Sequence, residues 1–214
     1  FSGSFAAGVP FQADPNTGDC RISGTLASLC GLEQALLTES STDHAIQRIL
    51  LMHGVLLAFK GIPLIYLGDE VAMLNDYSYR TDPDHHNDSR WVHRVNFANT
   101  GADQRSVTNS PQNQVFTGLV KLIELRRSQP VFGSGDLVVL PSVAESVFAF
   151  SRTYQGQTLF VVANFSERLC QLESSQCLRL GLMDSAVDLL LDQPLAPSQG
   201  LELAPFQQLW LLGV

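Results

Sequence analysis

An α/β segment followed by an all-β one is the fold class this sequence predicts. Three observations predict it. Apolar residues recur at helical spacing through residues 25–60. Directly after them, Ile62–Leu67 runs apolar without alternation, the pattern of a parallel strand buried on both faces. Beyond Pro130 the period shortens to β-rich runs separated by turn residues. Helix, tight glycine turn and buried strand give the rhythm of a (β/α)8 TIM barrel. The β-rich remainder reads as an antiparallel β-sandwich. The expected division is therefore 1–129, the C-terminal portion of a barrel, and 130–214, a β-sandwich domain, with the boundary near Gln129.

The elements follow in order. Residues 1–24 are rich in Gly, Ser, Pro, Asn and Asp and read as a long loop, which in a compact domain is usually functional. Thr25–Leu37 reads as a short helix carried by Leu26, Leu29, Leu32, Leu36 and Leu37. Ser41, Thr42 and Asp43 offer N-caps for a second helix, and Gly61 suits its stop near Lys60. Residues 71–110 return to polar loop chemistry. Ser110 and Pro111 then suit the start of a third helix, which ends in Arg126 and Arg127. Strands are expected at Leu137–Leu140, Val147–Tyr154, Thr158–Phe165, Ala186–Leu191 and Gln208–Leu212, with Gln193-Pro194 as a turn.

Composition bounds the partners. The chain has 214 residues, 45% of them apolar, enough to bury a core. Only 16% are charged, against about 25% in typical proteins, so part of the surface is expected to be covered. The net charge is −8 and no basic cluster tracks along one element, which argues against nucleic acid and anionic membranes. A neutral ligand such as a sugar fits this balance. Cys20, Cys30, Cys170 and Cys177 form no metal or redox motif and read as reduced thiols, unless Cys170 and Cys177 lie on adjacent strands and pair. The compartment is open, with the cytoplasm slightly favoured over secretion. The chain opens on Phe1 and shows one barrel-type strand. Such a strand needs paired neighbours, so the other strands are expected upstream.

The stretch Gly61–Glu70 fits the pattern Gly-x-Pro-x-x-Tyr-x-Gly-x-Glu through Gly61, Pro63, Tyr66, Gly68 and Glu70. It resembles the last barrel strand of glycoside hydrolase family 13, the α-amylase family. Two stretches resemble the amylosucrases within it: Gly3–Thr25, similar to the loop after the seventh strand, and Asp88–Arg94, similar to the loop after the eighth. Leu74-Asn75-Asp76 agrees with them. The resemblance implies a retaining enzyme that transfers the glucosyl group of sucrose to an α-1,4-glucan or to water. It implies an α-glucan or sucrose substrate, no cofactor, no metal, and an upstream barrel portion of the same parent as partner. One departure is visible: Ala6-Ala7-Gly8 stands where amylosucrases commonly have Ala-Arg-Gly, which bears on acceptor binding. An α-glucosidase or trehalose-synthase-like enzyme, or a non-catalytic carbohydrate-binding module, are the alternatives.

The resemblance also names the site. Arg90 matches an arginine that closes the glucose pocket, and Arg21 one that contacts acceptor sugars, with Asp19 to orient Arg21 or touch sugar. Guanidinium groups suit this because they offer planar forked donors. None of Asp69, Glu70, Asp76 and Asp88 matches a catalytic carboxylate of the family, so no catalytic residue is assigned in this chain and the isolated piece is expected to be inactive. Glu70 and Tyr66 read as scaffold, Phe5, Phe11 and Trp91 as packing residues or sugar platforms, and His53 as a core histidine. His85 and His86 beside Asp82, Asp84 and Asp88 read as a solvated loop or a cation site.

Overall fold

A computed structural model describes residues 4–96, 101–182 and 184–213. Its contacts gather them into two compact units, one built from residues up to Ile49 with Ile65–Gly118, the other from Leu50–Leu64 with the residues from Leu119 onward.

The first unit opens where the sequence suggests only loop. Strands β1 (Val9–Phe11) and β2 (Arg21–Ser23) pair antiparallel, with Phe11 opposite Arg21 and Val9 opposite Ser23. Three-residue strands carry too little periodicity to be seen in sequence. The single helix expected over Thr25–Leu37 is two. Helix α1 (Leu26–Leu29) is capped by the Thr25 side chain, which accepts from the Ser28 N–H, and α2 (Leu32–Leu37) starts afresh. Gly31 between them sits at φ 95°, in the left-handed region that breaks a helix and that glycine enters freely. Helix α3 (Asp43–Ala58) begins in this unit. The polar stretch after Gly68 is organised as short 3-10 turns at Asp69–Val71, Ser78–Thr81, Ser89–His93 and Ala102–Ser106. Helix α4 (Pro111–Ser128) starts with the Ser110 hydroxyl accepting from the Asn113 N–H.

The second unit is a β-sandwich. The helix α5 (Pro130–Ser134) leads into β3 (Asp136–Val139), β4 (Val147–Tyr154) and β5 (Gln157–Asn164). After them come β6 (Cys170–Leu172), the helix α6 (Ser174–Arg179), β7 (Ala186–Asp188), β8 (Gln193–Leu195), β9 (Leu201–Leu203) and β10 (Gln208–Gly213). Six strands form one antiparallel sheet in the order β3-β4-β5-β10-β7-β8, and β6 pairs with β9 separately. One face of the large sheet, with Val147, Ala149, Phe160, Val162, Leu209 and Leu211, packs on Leu172, Leu201 and Leu203 of the small sheet and on Cys177 beside them. The other face buries Phe150, Val161 and Trp210. Phe150 meets Phe59 edge-on at 5.2 Å, and Trp210 meets Phe132 of α5 at 4.8 Å. A sheet covered on both faces explains why Leu159–Ala163 is apolar without alternation. Gly54 of α3 allows the Gln208 side chain to cross the helix and donate to the Leu50 carbonyl at 3.1 Å; an added Cβ would lie 1.8 Å from its amide nitrogen.

Two expectations are corrected here. Gln193-Pro194 is strand β8, not a turn; it lies at the sheet edge, where proline's missing N–H costs no ladder bond. Ile62–Leu67 is not a strand among the described residues. It finds no pairing partner there, and Ile62 and Leu64 are 99% and 81% exposed. A strand exists only through its hydrogen-bonded neighbours, whatever its apolar pattern. Cys170 on β6 and Cys177 on α6 do not lie on adjacent strands, and all four thiols are free.

The C-terminal end of α3 has an unusual cap. Arg126 donates to the Leu57 carbonyl and, at 2.8 Å, to that of Gly61. Arg152, wholly buried, donates to Ala58 O at 3.0 Å and to the carbonyls of Phe132 and Gly135 at 2.9 and 2.8 Å. Helix ends leave carbonyls without partners and carry partial negative charge. Two guanidinium groups answer both needs at once.

Candidate functional site

The first unit brings together loops far apart in sequence, and Asn75 is the residue that joins them. Its Oδ1 accepts from the Thr25 N–H at 2.8 Å, and its Nδ2 donates to Ala7 O and Tyr77 Oη at 3.1 Å each. Its backbone N–H donates to the Ser28 hydroxyl at 2.9 Å. Tyr77 in turn donates to Glu33 at 2.8 Å, and burial pushes its phenol pKa up. Asn75 stands in a matched stretch of the sequence, but nothing there assigns it this role. Only the fold shows which backbone groups it serves.

On this frame sit the residues singled out from sequence. Arg21 on β2 is the cross-strand partner of Phe11 on β1, so the two side chains share one face. Arg90, on the 3-10 turn Ser89–His93, holds its guanidinium 5.0 Å from the centre of the same Phe11 ring. Ser89 pins the turn to the ribbon by donating to Pro10 O at 2.9 Å. Arg21, Phe11 and Arg90 therefore lie together, the half-buried ring beside two exposed arginines of which Arg90 stands over it. The Arg21 guanidinium has no partner among the described residues. Arg90 is engaged by Asp88, with Nε at 2.9 Å and Nη2 at 2.8 Å from its carboxylate. Those hydrogen bonds hold the Asp88 carboxyl down at about 2. Asp19 is exposed, and its carbonyl accepts from Asp14 N at 2.8 Å; it lies two residues before Arg21 on the way into β2.

Beside this group opens a cleft of about 340 Å³ lined by Ser23, Thr25, Tyr66, Asp69 and His93, among others. Tyr66 meets the His93 ring edge-on at 5.9 Å. Burial lowers the His93 pKa, and its Nδ1 is buried without a hydrogen bond, which favours the neutral ring. Gly68 stands at φ 99°, and its N–H donates to Glu70 Oε2 at 2.7 Å, so Glu70 fastens its own turn. Gly61 is also at positive φ, and Pro63 follows it in the unpaired segment. His85 is taken by Asp82 at 2.8 Å and stacks on Trp91 at 3.6 Å, while Arg48 covers Phe5 at 3.8 Å. His53 is buried in α3. Among the described residues no three His, Cys, Asp or Glu side chains gather as a metal site. No described helix is long and apolar enough to cross a membrane.

Residues 137–210 match the family model of the maltogenic amylase C-terminal domain. This stretch, strands β3 to β10, is similar to that domain. The chain is similar to a cyclomaltodextrinase of Thermoanaerobacter pseudethanolicus, 34% identical over 51% of this chain and 16% of its own length. A trehalose synthase of Thermus thermophilus is 26% identical over 72% of this chain and 18% of its own length. The chain thus spans less than a fifth of these relatives. Among solved structures, AmyP in complex with maltose overlays with a TM-score of 0.63 at 19% identity, covering 87% of this chain and 37% of that one. An Anoxybacillus α-amylase overlays with a TM-score of 0.57 at 19% identity, covering 89% and 35%. At such identities the likeness is one of fold.

Proposed function

We propose that this chain is the C-terminal part of a retaining enzyme acting on α-glucans or sucrose. In this reading residues 1–129 supply the end of a (β/α)8 barrel, with Ile62–Leu67 as its last strand, and 130–214 the β-sandwich C-domain. The carrying observation is the group of Arg21 and Arg90 about Phe11, in an α-amylase-type chain. An aromatic ring offers a face to sugar C–H groups, and guanidinium forks donate to adjacent hydroxyls. Arg90 would wall the glucose pocket, and Arg21, with Asp19, would meet the acceptor. Retaining cleavage needs a nucleophile and an acid about 5–5.5 Å apart. Asp88 is engaged at both oxygens by Arg90 and Glu70 is spent on Gly68, so both carboxylates would come from upstream residues of the same parent.

The sucrose reading rests on the amylosucrase-like loops. A second reading, an enzyme acting on maltose or making trehalose, is favoured by the trehalose synthase match, which runs over 72% of the chain. The test expresses the chain with its upstream coding sequence and supplies sucrose, maltose and a cyclomaltodextrin. Fructose release from sucrose as the main activity supports the first reading. Glucose or trehalose from maltose, with no fructose from sucrose, replaces it with the second. Turnover by residues 1–214 alone would refute the assignment of the carboxylates to the upstream part.

A further inference from the structure

The 3-10 turn Ser89–His93 that carries Arg90 is tied down at two points. The Ser89 hydroxyl donates to Pro10 O at 2.9 Å, and the Asp76 N–H donates to Val92 O at 2.8 Å. Between these ties the tip of the turn rests on two rings. Arg90 stands over Phe11 at 5.0 Å, and the Trp91 indole meets the His85 imidazole at 3.6 Å between centres, tilted by 39°. Arg94 reaches the same indole, 5.0 Å from its centre. His85 is itself held in place. Its Nδ1 lies 2.8 Å from Asp82 Oδ2. The Asp84 N–H, and after it the His85 side chain, lower the Asp82 pKa. Asp82 is therefore a carboxylate that can only accept, and the His85 Nδ1–H is the donor. This bond sets the ring's orientation, and the ring so placed stacks on Trp91.

The main chain supplies a second link. His85 O accepts from the Asp88 N–H at 3.0 Å. Asp88 caps the turn, and its carboxylate accepts from Arg90 N at 3.0 Å, Nε at 2.9 Å and Nη2 at 2.8 Å. His85 thus reaches Arg90 by two routes, through the ring of the next residue and through the backbone of its carboxylate partner. The routes matter because the Asp88–Arg90 pair is partly exposed, and exposed ion pairs hold a side chain weakly on their own. A stacked aromatic neighbour adds a second anchor of comparable strength. We propose that His85 is a positioning residue for Arg90, acting through Trp91 and Asp88. That Arg90 meets a sugar rests on the function proposed above; the positioning itself does not.

The test follows two NMR signals in the 214-residue chain, the Arg90 Nε–H and the Trp91 indole N–H. His85→Ala is expected to shift the Trp91 signal and to speed hydrogen exchange at the Arg90 Nε–H by about fivefold, the loss of one stacking contact. His85→Phe gives up the bond to Asp82 but keeps a ring for Trp91, and is expected to recover most of that protection. His86, whose Nδ1 meets the carbonyls of Asp82 and Pro83, is the control, and His86→Ala is expected to change neither signal. In the longer parent, supplied with the sugar it accepts, His85→Ala is expected to raise KM by about fivefold with kcat nearly unchanged, the mark of weakened binding. His85→Phe is expected to bring KM back. Unchanged Arg90 and Trp91 signals in His85→Ala, or no recovery in His85→Phe, overturn the proposal whatever the activity does. A loosened Arg90 with an unchanged KM keeps the positioning and overturns the reading of Arg90 as a wall of the sugar pocket.

Discussion

Asn75 shows how much one side chain can organise. It meets backbone groups from Ala7 and Thr25 and the side chain of Tyr77, so its loss leaves half-buried donors and acceptors unanswered. Asn75→Ala is expected to lower stability by about 1–2 kcal/mol in urea unfolding; an unchanged midpoint would mean that the loops hold without it. Asp188 makes a different case. Its Oδ1 accepts from Trp210 N and Leu190 N, its Oδ2 is buried without a partner, and burial raises its pKa. The folded state therefore binds this proton more tightly than the unfolded chain. The group's contribution is full below the unfolded carboxyl value, about 3.9, and is lost as pH rises through the higher folded value. Asp188→Asn keeps the acceptor and removes the titration. Its stability relative to the parent is expected to grow between about pH 4 and pH 7, and a pH-independent difference would contradict the placement. Neither residue's role was legible in sequence, because each depends on groups brought from far along the chain.

Elements were legible in proportion to their length. Helices α3 and α4 and strands β4, β5 and β10 carry enough period to be read within one or two residues. Of the three-residue strands, β7 was read, though drawn on to Leu191, while β1, β2, β6 and β9 were not, and β8 was hidden by Pro194. The end of α3 was legible from Gly61, but not its reinforcement by Arg126 and Arg152. Arg152 lies in the largely apolar strand β4. In the fold its stem crosses the core and its guanidinium meets only carbonyls. Arg152→Met fills the stem's volume but strands those carbonyls. The expected cost is about 3 kcal/mol or more. A loss below about 1 kcal/mol in denaturant melts would show that water or a neighbour can replace the guanidinium.

The whole molecule leaves apolar side chains outside. Met52 and Leu56, four residues apart, lie exposed on α3, and the exposed Ile62, Leu64 and Leu67 follow the helix. Leu64→Asn is expected to change the stability of the 214-residue chain by no more than about 0.5 kcal/mol, as for other exposed sites. In a longer protein where Ile62–Leu67 is a buried barrel strand, the same change is expected to cost about 3 kcal/mol. A cost in the short chain, or none in the long one, would contradict the exposure or the strand. The thiols divide just as sharply. Cys30 and Cys177 are buried, and burial pushes the Cys30 thiol up to about 12 and raises that of Cys177, while Cys20 is exposed beside Arg21. Thiolate supply and access govern alkylation. A maleimide dye therefore lands first at Cys20, and the native sequence arrives with its own fluorescent handle one residue from the group proposed to meet the sugar.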